Sequence, residues 1–335
     1  MKTVFYYRWS EKYDCIRLIC EKDGKEWLGI DLYPDSGFKS AGLAYQGTWL
    51  QPFMPKWSHL LARDEFGNSI LFPTPNRVRN HTFTFQGQQV EMIKNGIPRS
   101  QHGLALDTRW QLKRLECGEN YVLATAEFCI QKDDENYQAF PWKCRLTVTY
   151  RLTENALTFS YQVKNQSPRP MPFGIGLHPW FLLPKEPDQV LLCMPAEECF
   201  ETTQDLLPTG KLIHVRQNKA YDLNDFRQIR ELDLDTVFLT KAQDVYLRYD
   251  HRGYQIRIHA TEEFENSVVF TAFSRGMNKE GYAAFCVETQ SCCTDAINLH
   301  ENGYEKSGLL VLSPDAEKSG KITYFLEACE KGEQG

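Results

Sequence analysis

Two histidines and a late glutamate, each set in its own short phrase, are the residues of this chain best suited to chemistry. They are His102 in Arg99-Ser-Gln-His-Gly103, His178 in Gly174-Ile-Gly-Leu-His-Pro-Trp-Phe181, and Glu288 in Phe285-Cys-Val-Glu-Thr-Gln290. An imidazole gives up a proton near neutral pH and a carboxylate accepts one, so the chain carries a candidate acid and a candidate base. Such a pair suits proton-transfer chemistry that needs no metal and no organic cofactor. Gly174, Gly176 and Pro179 shape the backbone around His178, and Trp180-Phe181 offers an apolar wall. Glu288 closes the apolar run Ala283-Ala-Phe-Cys-Val287, where a carboxylate belongs in a cleft, because unpaired burial of charge is expensive. The plainer readings are a hydrogen-bonded core histidine and an exposed ion-pair partner.

The other titratable groups form no pattern of this kind. His59, His81, His214, His251, His259 and His300 make no His-x-His or His-Glu-x-x-His arrangement and read as structural or surface residues. The eleven cysteines are odd in number and form no Cys-x-x-Cys pair, which argues against a disulfide scaffold or a zinc site. Most are expected to act as small buried hydrophobes in a reducing, cytoplasmic setting.

The elements that must position the candidate pair are strands. In Arg145-Leu-Thr-Val-Thr-Tyr-Arg-Leu152 the apolar residues take every second place, and Leu157, Phe159, Tyr161 and Val163 resume the alternation after a turn at residues 153–156. That predicts a hairpin. A second is predicted around Asp250-His-Arg-Gly253, between residues 245–249 and 255–259. Val268-Val-Phe-Thr-Ala-Phe273 is apolar on both faces and reads as a central strand. Helical candidates are short: residues 58–66, with Ser58 able to cap, and residues 222–232, where Leu223, Phe226 and Ile229 recur at helical spacing. The Pro-rich Ser167-Pro-Arg-Pro-Met-Pro172 predicts a sharp turn before the His178 phrase. No internal repeat, low-complexity tract or Gly/Ser/Pro linker marks a boundary, so residues 1–335 read as a single all-β domain, a large antiparallel β-sandwich with a few short helices.

Bulk composition agrees with a globular chain: 42% hydrophobic, 24% charged and 13% aromatic over 335 residues leave ample material for a core. The net charge of -6 comes without a run of lysine and arginine able to neutralise a series of phosphates, which argues against nucleic acid as a partner. No apolar run is long enough to cross a bilayer, and the opening apolar stretch stops too soon for a signal-peptide core. A monomer or homodimer acting on a small molecule is expected.

The three phrases, with Pro75-Asn-Arg77 upstream, Leu234-Asp-Thr-Val-Phe238 between, and Asp295-Ala-Ile-Asn298 after the glutamate, resemble the aldose 1-epimerase (galactose mutarotase-like) family in type, order and spacing. The resemblance runs from roughly residue 41 to residue 326. It implies a large β-sandwich, anomer interconversion on a hexose without a cofactor, Glu288 as base on the C1 hydroxyl and His178 as acid on the ring oxygen. It also implies Arg77, His102 and Asp235 on the sugar's other hydroxyls. Trp180, Phe270 or Phe273 are candidates for stacking on the ring, although aromatics in a sandwich are more often core. The Gly-x-His-Pro form, with Leu177 before His178, looks more like a broader branch than the galactose-preferring one, so the hexose stays open. Arg79, Arg99 and Arg109 accompany Arg77, and a guanidinium fork suits phosphate or sulfonate, although arginines on solvent faces of strands are the plainer reading. The alternative function is a carbohydrate-binding or sugar-sensing module without turnover. A glycan-cleaving enzyme fits less well, since hydrolysis commonly uses two flanking carboxylates.

Overall fold

The computed structural model describes residues 2–51, 67–184, 189–271 and 283–329. Two large sheets built from antiparallel pairs account for most of the strand residues. The alternation in Cys144–Leu152 becomes a strand whose residues are buried and half-buried in strict turn, paired with Ala156–Asn165 from Leu152↔Leu157 to Cys144↔Asn165. The hairpin of Val245–Tyr249 and Tyr254–Ala260 forms likewise, closing through Gly253 at φ 69°. Both hairpins belong to a nine-stranded sheet in which Glu317–Ala328 lies between Ala156–Asn165 and Tyr254–Ala260.

The other sheet has twelve strands, and its middle carries most of the candidate site residues. Five neighbouring strands are β1 (Asn68–Leu71), β2 (Gly176–Leu183), β3 (Asp235–Leu239), β4 (Asn266–Phe270) and β5 (Ala283–Gln290), in the spatial order β1-β2-β5-β4-β3. Nearly all their described side chains are buried, so both faces are covered and their sequences show no simple apolar–polar alternation. One face packs on the nine-stranded sheet, where Phe181 meets Tyr324 at 6.4 Å and, further along, Tyr45 meets Tyr254 at 5.1 Å between ring centroids. The resulting core is one cluster drawing on both sheets, from Phe5 to Leu326. The architecture is the all-β sandwich expected from the sequence.

Two helical expectations fare differently. Residues 58–66 lie outside the described residues. Residues 222–232 form no α-helix: they hold the short strand Arg227–Gln228 and a 3-10 turn at Ile229–Glu231. Asp222 Oδ1 accepts from the Asn224 backbone N–H at 3.2 Å, a local turn that competes with helical bonding, and Leu223 and Ile229 reach the core without it. The predicted central strand at 268–273 is β4, shifted to begin at Asn266 and ending at Phe270; residues 272 and 273 are outside the described residues. Short helices do occur at Asn136–Ala139 and Ala296–Glu301. Among the described residues no helix is long and apolar enough to cross a membrane.

Phe128 sits in the shared core, 5.6 Å from Trp110 and 6.3 Å from Phe72 between ring centroids. Phe128→Ala removes both aromatic partners and leaves a cavity, which costs roughly 3–5 kcal/mol. Urea denaturation should show a lowered midpoint at unchanged slope; an unchanged midpoint would mean that the two sheets do not share this core.

Candidate active site

The register of the central strands gathers the chemistry. In the β2–β5 pair Gly176 lies opposite Gln290 and Trp180 opposite Cys286, which sets His178 against Glu288 on the same face. His178 Nε2 is 3.3 Å from Glu288 Oε1, and both side chains are more than nine-tenths buried. The other carboxylate oxygen, Oε2, accepts from Gln290 Nε2 at 2.7 Å. On the far side of β5, Val268 faces Glu288 and Phe270 faces Cys286, while Asp235 of β3 faces Phe270. A cavity of about 180 Å³ opens over this face, lined by Asn76, Arg77, Gln101, His102, His178, Trp180, Asp235, Val268, Phe270 and Glu288.

Arg77 and His102 arrive from a loop pair. Arg77 bridges Gln101, Val78 N–H donates to Ser100 O at 2.9 Å, and His102 N–H donates to Asn76 O at 2.7 Å. Asn76 and His102 hold left-handed backbone, at φ 61° and 60°, a conformation that needs its surroundings to hold it. Gly103 follows at φ 83°, where a Cβ would lie 2.3 Å from Phe72 O, so the close approach that seats His102 admits glycine alone. Arg77 Nη1 donates to Asn76 Oδ1 at 3.0 Å. The segment is braced from behind by buried Asp295: its backbone N–H donates to Arg77 O at 2.8 Å, and its Oδ1 accepts from the Arg79 backbone N–H at 3.0 Å.

Every site residue named from the sequence therefore lies on one cavity, apart from Phe273, which is outside the described residues. The aromatic rings grade into the acid–base pair: His178 stacks on Trp180 at 5.7 Å, Trp180 meets Phe270 edge-on at 5.7 Å, and His102 meets His178 edge-on at 5.1 Å. The other arginines are engaged elsewhere, Arg79 with Asp295, Arg99 with Asp107 and Arg109 with Asp35, leaving Arg77 as the member of that group on the cavity wall. Sequence reasoning passed over Gln290 and Cys286. Both were within reach, because the period of two on a strand places residues i−2 and i+2 of Glu288 on its own face. A larger cavity of about 610 Å³ lies behind the site, against Arg79, Asp295 and Asn298, and holds no acid–base pair.

Burial sets the protonation of the pair. It pushes the Glu288 carboxyl up to about 8, opposed by the Gln290 hydrogen bond and by Arg77 and reinforced by Asp235. It pushes the His178 imidazolium down to about 4, helped by the charges of Lys39 and Arg77. His102 is lowered well below the usual histidine range by burial and then by His178 and Arg77, so it is a neutral ring at pH 7. The pair holds one proton across the neutral range, and the direct contact lets either member carry it. That is the inventory needed to give one proton and take another at the same time.

Of the eleven cysteines, all free, seven are buried, in keeping with their expected role as small hydrophobes. The donor atoms of His178, Cys286 and Glu288 lie within 4.8 Å of one another, a cluster that spacing motifs could not register.

Residues 54–324 match the family model for aldose 1-epimerase. The chain belongs to the aldose 1-epimerase family. It is 22% identical over 263 residues to the galactose mutarotase of Bos taurus, covering 71% of this chain and 73% of that protein. It is 27% identical over 183 residues to the Escherichia coli protein YihR, a match spanning 53% of this chain and 55% of the relative's length. Among solved structures, a galactose mutarotase-like protein from Clostridium acetobutylicum superposes with a TM-score of 0.82 at 18% identity, covering 97% of this chain and 99% of that one. The likeness carries the fold.

The pair also couples folding to pH. Unfolded glutamate titrates near about 4.3 and unfolded histidine near about 6.5. Because the folded Glu288 value is raised to about 8, its contribution is fully present below about 4.3 and lost as pH rises through 8. Because the folded His178 value is lowered to about 4, its contribution is present above about 6.5 and lost as pH falls through 4. The two slopes oppose between about 4.3 and 6.5, and Glu288 acts alone from about 6.5 to 8. Wild type should lose stability relative to Glu288→Gln over that upper window, read as melting temperatures at both ends. An identical gap at both ends would mean that the buried carboxyl is not protonated in the fold.

Proposed function

We propose that the chain is an aldose 1-epimerase that interconverts the α and β anomers of a hexose by acid–base ring opening and reclosure. The observation that carries this is the buried contact of His178 Nε2 with Glu288 Oε1, 3.3 Å apart on the wall of a sugar-sized cavity. Opening a pyranose requires the C1 hydroxyl to lose a proton while the ring oxygen gains one and the C1–O5 bond breaks. Glu288 takes the C1 proton and His178 supplies the ring-oxygen proton. After rotation about C1–C2 the protonated Glu288 gives its proton back to the C1 oxygen while neutral His178 takes back the proton of the C5 hydroxyl, and the ring closes on the other face. Each well-placed group lowers the barrier enough for about 10²–10⁴-fold in rate.

In the empty site burial keeps the shared proton on Glu288. Binding a sugar whose hydroxyls donate to the carboxylate favours its ionised form and moves the proton to His178, the arrangement that opening needs. Arg77 and His102 hold hydroxyl oxygens and Asp235 accepts from a hydroxyl, so that the transfers occur within hydrogen-bond reach. Trp180 and Phe270 cover an apolar ring face. Arg77 balanced by Asp235, with the neighbouring arginines paired elsewhere, supports a neutral hexose over a phosphorylated or sulfonated one. The eleven free thiols support a reducing, cytoplasmic setting, and the core shared by both sheets supports one domain.

The test follows fresh α-D-glucose and α-D-galactose to anomeric equilibrium by polarimetry or NMR. Wild type should accelerate the approach, and Glu288→Gln and His178→Asn should each lose about 10²–10⁴-fold. Full activity in both variants would remove the proposed acid and base, and tight sugar binding without acceleration would point to the non-catalytic module instead. The pH profile should be bell-shaped. Below about 4 both groups are protonated and no base remains; above about 8 both are deprotonated and no acid remains. A rate still climbing above pH 9 would contradict this assignment.

A further inference from the structure

We propose that His178, Cys286 and Glu288 form a site for a thiophilic divalent cation of the Zn²⁺ class, and that the bound ion shuts the site down. The inhibitory half rests on the acid–base reading above; the binding half rests on geometry alone. One imidazole nitrogen, one thiol Sγ and one carboxylate oxygen lie within 4.8 Å of each other. Zinc binds nitrogen and oxygen ligands at about 2.0–2.1 Å, so two of them on a tetrahedron lie about 3.3–3.4 Å apart. The 3.3 Å between His178 Nε2 and Glu288 Oε1 is already that edge.

The donor set also selects the metal. A mixed nitrogen, sulfur and oxygen set suits zinc, whereas magnesium and calcium take oxygen. Glu288 is orientated for the role, since Gln290 holds Oε2 at 2.7 Å and leaves Oε1 toward His178. Cys286 is wholly buried in a small cluster with Trp180, Ala284 and Phe270, on the same face of β5 as Glu288. Three protein ligands leave the fourth position of a tetrahedron to the cavity, where water would sit.

The site differs from a resident catalytic centre in two ways. The ion would occupy the His178 lone pair and the Glu288 oxygen that the reaction needs for protons, so metal and turnover exclude each other. His178 Nδ1 has no hydrogen-bond partner among the described residues, and resident metal-binding histidines almost always have one. Binding is therefore reversible inhibition, with the thiol proton and the pair's shared proton released to solvent.

The experiment titrates ZnCl₂ and CoCl₂ into chelator-treated full-length protein, wild type and Cys286→Ser. Wild type should bind one ion per chain, and its cobalt form should show thiolate-to-metal charge-transfer absorption in the near ultraviolet. Cys286→Ser should lose that band and weaken zinc by more than the roughly 10–100-fold that loss of an outer partner costs. Zinc should slow wild-type mutarotation competitively with sugar and reversibly by chelator, and the serine variant should resist it relative to its own metal-free rate. Equal zinc affinity in the variant, or a cobalt complex without the band, would overturn the site; the wild-type band alone decides this if the variant does not fold. Metal binding as expected in a protein with no mutarotation would keep the site and overturn the inhibition, marking failure of the enzymatic reading instead.

Discussion

The pairing of β2 with β5 is the constraint on which the rest of the site depends. It brings together strands from the middle and the end of the chain in a register that puts Trp180 opposite Cys286 and Gly176 opposite Gln290. Side chains on a strand alternate between faces, so a slip of one residue would send His178 and Glu288 to opposite sides of the sheet. Gly176 protects that register: a Cβ there would lie 2.8 Å from Gln290 Cγ, disturbing the residue that holds the Glu288 carboxylate. Two ionisable groups are thereby buried against each other, and sharing a single proton is the inexpensive way to leave them there.

Around this contact the fold separates rigidity from adaptability. The central strands are buried on both faces, one by the nine-stranded sheet and the other by the loops that form the cavity wall. The loop residues are positioned less by propensity than by cross-links. Asn76 and His102 hold left-handed backbone because neighbouring carbonyls and amides fix both ends, and buried Asp295 ties the Arg77 segment to the start of Ala296–Glu301. Strain of this kind persists where the surroundings over-determine it, and at Asn76 and His102 it lies beside the candidate acid–base pair. The free thiol beneath Trp180 and Phe270 has the opposite character, being packed as a hydrophobe yet close enough to both ionisable groups to join them on a soft metal.

How much of this was legible differs by element. The hairpins were, because the alternation in Cys144–Leu152 and Tyr254–Ala260 is a direct imprint of one buried and one wetter face. Residues 222–232 misled, since Leu223, Phe226 and Ile229 recur at helical spacing. The structure buries Leu223 and Ile229 from an irregular turn and leaves Phe226 exposed. Arg79, Arg99 and Arg109 were equally ambiguous: their ion pairs with Asp295, Asp107 and Asp35 join positions whose proximity the local sequence does not encode.

The sequence by itself determined the class of fold, the family and the identity of the candidate acid, base and sugar-holding residues, because periodicity and short motifs are local properties. Only the tertiary structure decided that His178 and Glu288 touch, that Gln290 holds the carboxylate, and that Cys286 stands within 4.8 Å of both. Those facts depend on strand register, burial and the loss of solvent around charge. Each arises from residues far apart in the chain meeting in a medium that water no longer screens.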